Sequence, residues 1–385
     1  MSNKCRKICV VITARASYAR IKTVLEAVNE HTDLELQLVV AGSALLERYG
    51  PVIDVIRKDG FTPNSTVYMQ VEGENLVTSA KSTGAGIVEL ATVFDNFAPD
   101  MVLSIADRYE TIATAIAASY MNIPVAHTQG GEVTGSIDES VRHAVSKLAH
   151  LHFPATEQAR DYLLRMGEEP GRVHLTGCPA IDLIADLDMA LPADIFEKNK
   201  GVGAILNPEQ PYLVVLQHPV TTEFGQGFEQ VRETLAAVLA LDMQTAWLWP
   251  NVDAGSDDVS KGLRMHREAA GDGKLHYYRN FSPEDYARLI GNAVCLIGNS
   301  SSGLREGAFL GTPTVDVGTR QARRERGENV VHAGYDRGEI EAGARRQIGH
   351  GRFERSELFG DGTAGKRIAE VLANGPINIQ KQLAY

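Results

Sequence analysis

Cysteine is scarce: four residues in a chain of 385, at positions 5, 9, 178 and 295, with no paired metal-ligand spacing. Cys9 and Cys295 fall inside apolar runs, which reads as buried free thiols in a reducing compartment rather than a disulfide framework. Long hydrophobic runs are missing too. The basic start "MSNKCRKICVVIT" holds an apolar stretch far too short for a signal peptide, and no segment approaches transmembrane length. The expectation is a cytoplasmic protein without a membrane partner. Positive charge is in deficit, with 38 Lys and Arg against 49 Asp and Glu, a net charge of -11. That balance argues against general nucleic-acid binding, while a local cluster of donors could still hold a small anion. The one G-x-G-x-x-G, "GDGTAG" at 360–365, follows no strand-like run, and the lysine after it precedes Arg367 rather than Ser or Thr, so dinucleotide and P-loop readings have no support. No short repeat or low-complexity tract occurs.

What is present is alternation. The length exceeds what one ordinary core fills, and two domains follow. In the first half the apolar runs "ICVVIT", "LELQLVV", "MVLSIA", "PVAHT", "LHFPA" and "VHLTG" read as strands. Residues 20–29, 76–97 and 109–121 carry apolar positions at helical spacing. A stretch with prolines 192, 208 and 211 interrupts the pattern. Then "YLVVLQH", "TAWLWPN", "LHYYRN", "AVCLIGN", "TVDVG" and "NVVHAG" resume it. The predicted fold is α/β, two doubly wound parallel-sheet domains with ligands at the carboxyl ends of the strands. The boundaries are 1–188 for the first domain, 189–211 for a linker leading onward, 212–365 for the second domain, and 366–385 for a terminal helix and tail.

Polar, chargeable groups follow nearly every such strand: Arg15, Asp107 to Glu110, the loop "HTQGGEVTGSIDESVRH", His218, Asn251, Asn299 and Arg320. "GNSSSGLREG" places Ser300 and Ser301 between a strand and a helical pattern, where hydroxyls and free N–H groups form an anion site, with Glu306 in the second turn as an acceptor for a ribose diol. The plain alternative is a capping serine and a solvated acid. In "TRQARRER" most of the arginines read as a solvated helix face, with Arg320 directed at a phosphate. His218, before Pro219, reads as a diphosphate or sugar contact, or as a structural histidine. Asp107 and Asp138 are candidates for proton transfer, although Asp138 also suits the cap of the helix that follows. Glu132 is either a second acid or an acceptor that orders the loop. Arg142 and His143 default to salt bridging and packing.

"DRYE", "HTQGGEVTGSIDESVRHAVSKLAHLHFPAT", "GCPAIDL", "QHPVTT", "PNVDAGSDD" and "GNSSSGLREGAFLGTPTVDVGTRQARRERGENV" together resemble the UDP-N-acetylglucosamine 2-epimerases, in order from about residue 8 to 335. The nearer likeness is to the hydrolysing branch that feeds sialic-acid-type sugar synthesis. The resemblance implies two Rossmann-like domains of glycosyltransferase-B type, a sugar nucleotide in the interdomain cleft, a homodimer or homotetramer, and no cofactor or metal. It implies that Ser300 and Ser301 contact the diphosphate and Glu306 the ribose. Arg15, His218, Asn251 and Arg320 would line the nucleotide, with Phe281 in the region over the base. Asp107 and Asp138 match acids assigned to catalysis, and Arg108, Gly130 and Gly131 would meet the sugar.

The chain departs from that pattern at Ser17, where an acid is common, and at Ala106, where glycine is usual. A third departure is Gln129, in place of the first Glu of Glu-Gly-Gly-Glu. An amide keeps hydrogen bonding and loses proton transfer, so Asp107, Asp138 or Glu132 carries that duty or the sugar is a variant. A glycosyltransferase of the same fold and a non-catalytic nucleotide-sugar sensor are the competing functions.

Overall fold

The computed structural model describes residues 5–46, 52–251, 253–271, 273–376 and 378–384. In the first domain six strands, β1 (Arg6–Ile12), β2 (Leu34–Ala41), β3 (Ser65–Val67), β4 (Met101–Ile105), β5 (Val125–Thr128) and β6 (Leu151–Phe153), form a parallel sheet in the order β3-β2-β1-β4-β5-β6. The second sheet holds β7 (Gly201–Gly203), β8 (Tyr212–Leu216), β9 (Gln244–Leu248), β10 (Leu275–Tyr278), β11 (Cys295–Gly298), β12 (Thr314–Val317) and β13 (Val330–Ala333). Their order is β13-β12-β11-β8-β9-β10-β7, with only β7 antiparallel.

Unbroken apolar runs become these strands because helices cover both faces of each sheet. Along β1, Ile8, Val10 and Ile12 enter one core, and Cys9 and Val11 enter the core on the other face. The terminal helix Ala364–Asn374 packs back on the first domain, with Ile368 and Leu372 in the core beside Val24 and Leu25 of the Lys22–Glu30 helix. The tail beyond it is pinned there as well. The Lys381 ammonium donates to the Ala149 carbonyl at 2.6 Å, and the His150 ring donates to the Ile379 carbonyl at 2.9 Å.

Two details depart from the sequence reading. The stretch read as linker contains the short Ile195–Lys198 helix and the edge strand β7. "VHLTG" contributes one isolated bridge, Val173 to His152, rather than a strand, because the chain has just left a 3-10 turn at Pro170–Arg172.

Each strand order reverses at one place, between β1 and β4 in the first sheet and between β8 and β11 in the second. Flanking helices diverge there and leave a crevice at the carboxyl ends of the strands. Arg15 follows β1, Asp107 follows β4, His218 follows β8, and Asn299 to Ser301 follow β11. The topology alone thus gathers the chemistry-bearing turns at two crevices.

Candidate active site between the domains

The two crevices face one another, and arginines cross between them. Arg15 donates to Asn251 Oδ1 at 3.0 Å and to the Arg279 carbonyl at 2.9 Å. Arg108 pairs with Glu110 at 2.7 Å on its own domain and with Asp253 at 3.0 Å on the other. Arg20 reaches Ser301 Oγ at 2.7 Å while holding Asp107 at 3.4 Å. Arg320 donates to the Asn299 carbonyl at 3.1 Å and lies 3.7 Å from Asp138. Asn299 joins the ends of β8 and β11, accepting from the His218 N–H at 2.7 Å and donating to the His218 carbonyl at 2.8 Å.

At the centre is a cluster of buried charge. Asp107 accepts from Arg142, Arg20 and Arg324. Glu132 accepts from Arg305 and lies 3.2 Å from Arg324. Burial opposes the charge on Asp107, but Arg142, Arg20 and Arg324 outweigh it and hold the carboxyl well below the ordinary range. Glu132 is likewise lowered, with burial overcome by Arg305 and Arg324. Four arginines against two carboxylates leave an excess of two positive charges. Burial, with Arg305 and Arg142 adding to it, pushes the Arg324 guanidinium down to about 9. A site so charged favours an anionic ligand.

Asp138 is set differently. Ser136 caps the Ile137–Leu148 helix, so Asp138 is free of the capping role the sequence allowed it. Burial raises its carboxyl to about 6, and the neighbouring charge of Asp107 adds to the effect against Arg320. Two carboxylates in one site, one held ionised and one titrating near neutrality, are the makings of an acid–base pair. His218 is neutral: burial and then Arg320 and Arg15 drive it well below its ordinary value. Its Nδ1 accepts from the Asn251 N–H at 3.1 Å, which leaves the proton on Nε2 as a donor.

Other residues take different places from those the sequence suggested. Ser300 caps a helix of only four residues, Ser301–Leu304, and the chain breaks at Arg305 before a second short helix, Glu306–Leu310. Glu306 therefore starts a helix instead of lying in a second turn, and its Oε2 is buried with no hydrogen-bond partner among the described residues. The Phe281 ring lies in the core of the second domain against Tyr278, because the turn after β10 folds it inward. Gly130 and Gly131 have packing reasons. A Cβ at Gly131 would sit 2.1 Å from the Ala159 carbonyl oxygen, and one at Gly130 would sit 2.8 Å from Ser146 Oγ.

Gln129 is buried, accepts from Arg305 at 3.1 Å and donates to Cys178 Sγ at 3.0 Å. Arg305 and Arg324 both meet Glu132 Oε2, a contact that orders the loop, while its Oε1 is buried with no hydrogen-bond partner among the described residues. Arg324, read as part of a solvated helix face, is buried in a turn. His143 conforms to the modest reading, 3.5 Å from Glu139 on its own helix. Arg142, by contrast, is fully buried and central.

Sequence reasoning passed over Arg20, Arg305 and Asp253. Their signal was present only as position, within or beside strand-end motifs. Arg15, Arg108 and Asn251 line a cavity of about 950 Å³ that continues past Trp249 and Tyr278 to Lys200 and Arg279. The supposed linker forms part of its wall through Glu197 and Asn199. Among the described residues no group of His, Cys, Asp and Glu could hold a metal ion, and no helix is long and apolar enough to cross a membrane.

Two parallel-sheet domains closing on a cationic cleft define a glycosyltransferase-B-like protein. The solved Methanocaldococcus jannaschii UDP-GlcNAc 2-epimerase, in complex with UDP-GlcNAc and UDP, shares this fold with a TM-score of 0.80 at 16% identity, covering 96% of this chain and all of that one. The chain belongs to the UDP-N-acetylglucosamine 2-epimerase family, whose sequence profile matches residues 26–373. It is 32% identical over 375 residues to the UDP-N,N'-diacetylbacillosamine 2-epimerase (hydrolyzing) of Legionella pneumophila, covering 97% of each chain. It is 30% identical over 372 residues to the UDP-N-acetylglucosamine 2-epimerase of Neisseria meningitidis, covering 96% of this chain and 95% of that relative.

Proposed function

We propose that the protein is a hydrolysing sugar-nucleotide 2-epimerase, releasing UDP and a free N-acetylmannosamine-type sugar from UDP-N-acetylglucosamine or a close derivative. The observation that carries this reading is the pairing of ionised Asp107 with Asp138, which titrates near pH 6, beside guanidinium groups in charge excess. Asp107 takes the proton at C2 as the C1–oxygen bond to the diphosphate breaks and its electrons leave with UDP. The product is a 2-acetamidoglucal. Water then adds at C1 and loses its second proton to solvent as protonated Asp138 delivers a proton to C2 on the other face; Asp107 gives its proton to solvent and Asp138 regains one before the next turnover. The departing diphosphate meets Arg20 and the Ser300 and Ser301 hydroxyls, with Arg320 and the neutral His218 donor alongside, and Glu306 Oε2 is the open acceptor for the ribose. The buried guanidinium groups favour charge that grows on the leaving group, which is where a weakly acidic C2 proton needs help.

A second substrate has specific support. The Legionella pneumophila relative is named for UDP-N,N'-diacetylbacillosamine and hydrolysis, and a Campylobacter jejuni relative for the GDP or UDP form. Gln129 is the departure in this chain that fits a rearranged sugar site. Incubation of the protein with each sugar nucleotide in deuterated water, read by proton NMR, tests the proposal. Free sugar of inverted C2 configuration carrying deuterium at C2 is the expected product. A nucleotide-linked epimer would refute hydrolysis, transfer to an acceptor without C2 exchange would make the protein a transferase, and binding without turnover of any of them would make it a sensor.

A further inference from the structure

One buried titratable group has no part in that chemistry. His127, in β5, is fully buried. Its Nε2 lies 2.7 Å from the Ala106 carbonyl oxygen, which can only accept, so Nε2 carries the ring proton. Nδ1 is then the acceptor for Ser146 Oγ at 3.2 Å. Burial pushes the ring down to about 3, so it stays neutral in this tautomer and cannot shuttle protons near neutral pH.

Both partners matter. Ala106 has φ +54, a left-handed conformation that side chains with a Cβ rarely adopt, and it directly precedes Asp107. Its N–H is bonded to β5 as well, at 3.2 Å to the Thr128 carbonyl. Ser146 sits one turn beyond Arg142, which grips Asp107, and two turns beyond Asp138 on the same helix. The seat is tight, since a Cβ at Gly130 would lie 3.0 Å from His127 Nδ1.

We propose that His127 is a positioning residue that locks the strained Ala106 turn, and with it Asp107, to the helix carrying Arg142 and Asp138. The effect on turnover rests on the epimerase reading, whereas the mechanical coupling does not.

The test uses the full chain with His127→Leu, His127→Gln, Ala106→Gly and the double variant of His127→Leu with Ala106→Gly. His127→Leu should lower kcat by about tenfold or more, the scale for a misplaced reacting group, with KM nearly unchanged. His127→Gln, which keeps a side-chain donor, should recover part of the loss. Ala106→Gly should recover much of it in the His127→Leu background, because glycine takes this φ unaided. In urea unfolding, His127→Leu should shift the midpoint less in the Ala106→Gly background than in the wild type. Equal shifts in both backgrounds overturn the proposal whatever the substrate is. Undiminished turnover in His127→Leu overturns it as well. A wild-type protein inert toward every sugar nucleotide sinks the epimerase reading, and the unfolding cycle then still decides the role of His127.

Discussion

Asp138→Asn separates the electrostatic account of the site from a merely geometric one. Burial, then Asp107 and Asp253, raise the Asp138 carboxyl from 3.8 to about 6, against Arg320 and Arg108. The folded protein therefore binds this proton more tightly than the unfolded chain does. The stability it contributes is fully present below pH 3.8 and is lost as pH rises through about 6. A shift of about 2 units corresponds to roughly 3 kcal/mol. A fifth of the side chain remains open to solvent, which screens the neighbours, so about 2 kcal/mol is the figure to expect. Asparagine cannot ionise. Relative to the wild type, the variant should gain stability progressively as pH rises from about 3.8 through about 6, by about 2 kcal/mol in all. Urea unfolding of the two proteins in parallel measures it, since the other titrating groups cancel in the difference. A difference that stays flat with pH would refute the raised carboxyl, and with it the assignment of Asp138 as the group that titrates near neutrality.

Five further outcomes follow from contacts in the same structure. Asp107→Asn should abolish turnover while UDP still binds, read by calorimetry beside the NMR assay; undiminished turnover would remove Asp107 from the chemistry. Ser301→Ala deletes the acceptor held by Arg20 at 2.7 Å and should weaken UDP by about tenfold, the worth of one charge-assisted hydrogen bond. Gln129→Leu strands the Arg305 donor and should cost about 1–3 kcal/mol in unfolding. Gln129→Glu should fold well, because the cluster has cations to spare, yet bind UDP less tightly for want of one unit of positive charge. At the far end of the Ile137–Leu148 helix, hydrogen bonds from His152, Lys147 and Lys381 overcome burial and hold Glu168 at about 2. That stabilisation is present above the ordinary carboxylate range and lost as pH falls toward about 2. Lys381→Met should move the acid-unfolding midpoint to higher pH.

Local pattern made the fold readable where burial is simple. "ICVVIT" became a central strand because every residue from Ile8 to Ile12 is buried on one face or the other. Residues 76–97 became a helix with those bounds because Asn75 and Thr78 form a capping box and Ala98 ends it in a left-handed turn. β7 was invisible because Gly-Val-Gly has no apolar pattern: it is an exposed edge strand, set by pairing with β10. The strand-end rule located the site, yet it could not rank the charges within it. Arg324 reads as part of a solvated face, Arg142 as a salt-bridging or packing group, and Arg305 carries no signal, because arginine is almost never buried without a partner. Arg142 and Arg324 are 35 and 217 residues from Asp107 in sequence, and Arg305 is 173 from Glu132. No local pattern encodes such distances.

The same non-local bookkeeping explains the neutral residue at position 129. Arg305 already has Glu132 as its anion, and Gln129 offers it a second acceptor without a second charge. The amide then uses its donor on Cys178 Sγ, a thiol pushed up to about 11 by burial. A carboxylate at 129 would satisfy Arg305 as well, but it would cancel half of the excess charge that makes the cleft attractive to a diphosphate. On the proposed reading, proton transfer rests with Asp107 and Asp138, and position 129 can then spend its hydrogen bonds on holding Arg305 between the two domains and leave the positive excess intact for an anionic ligand.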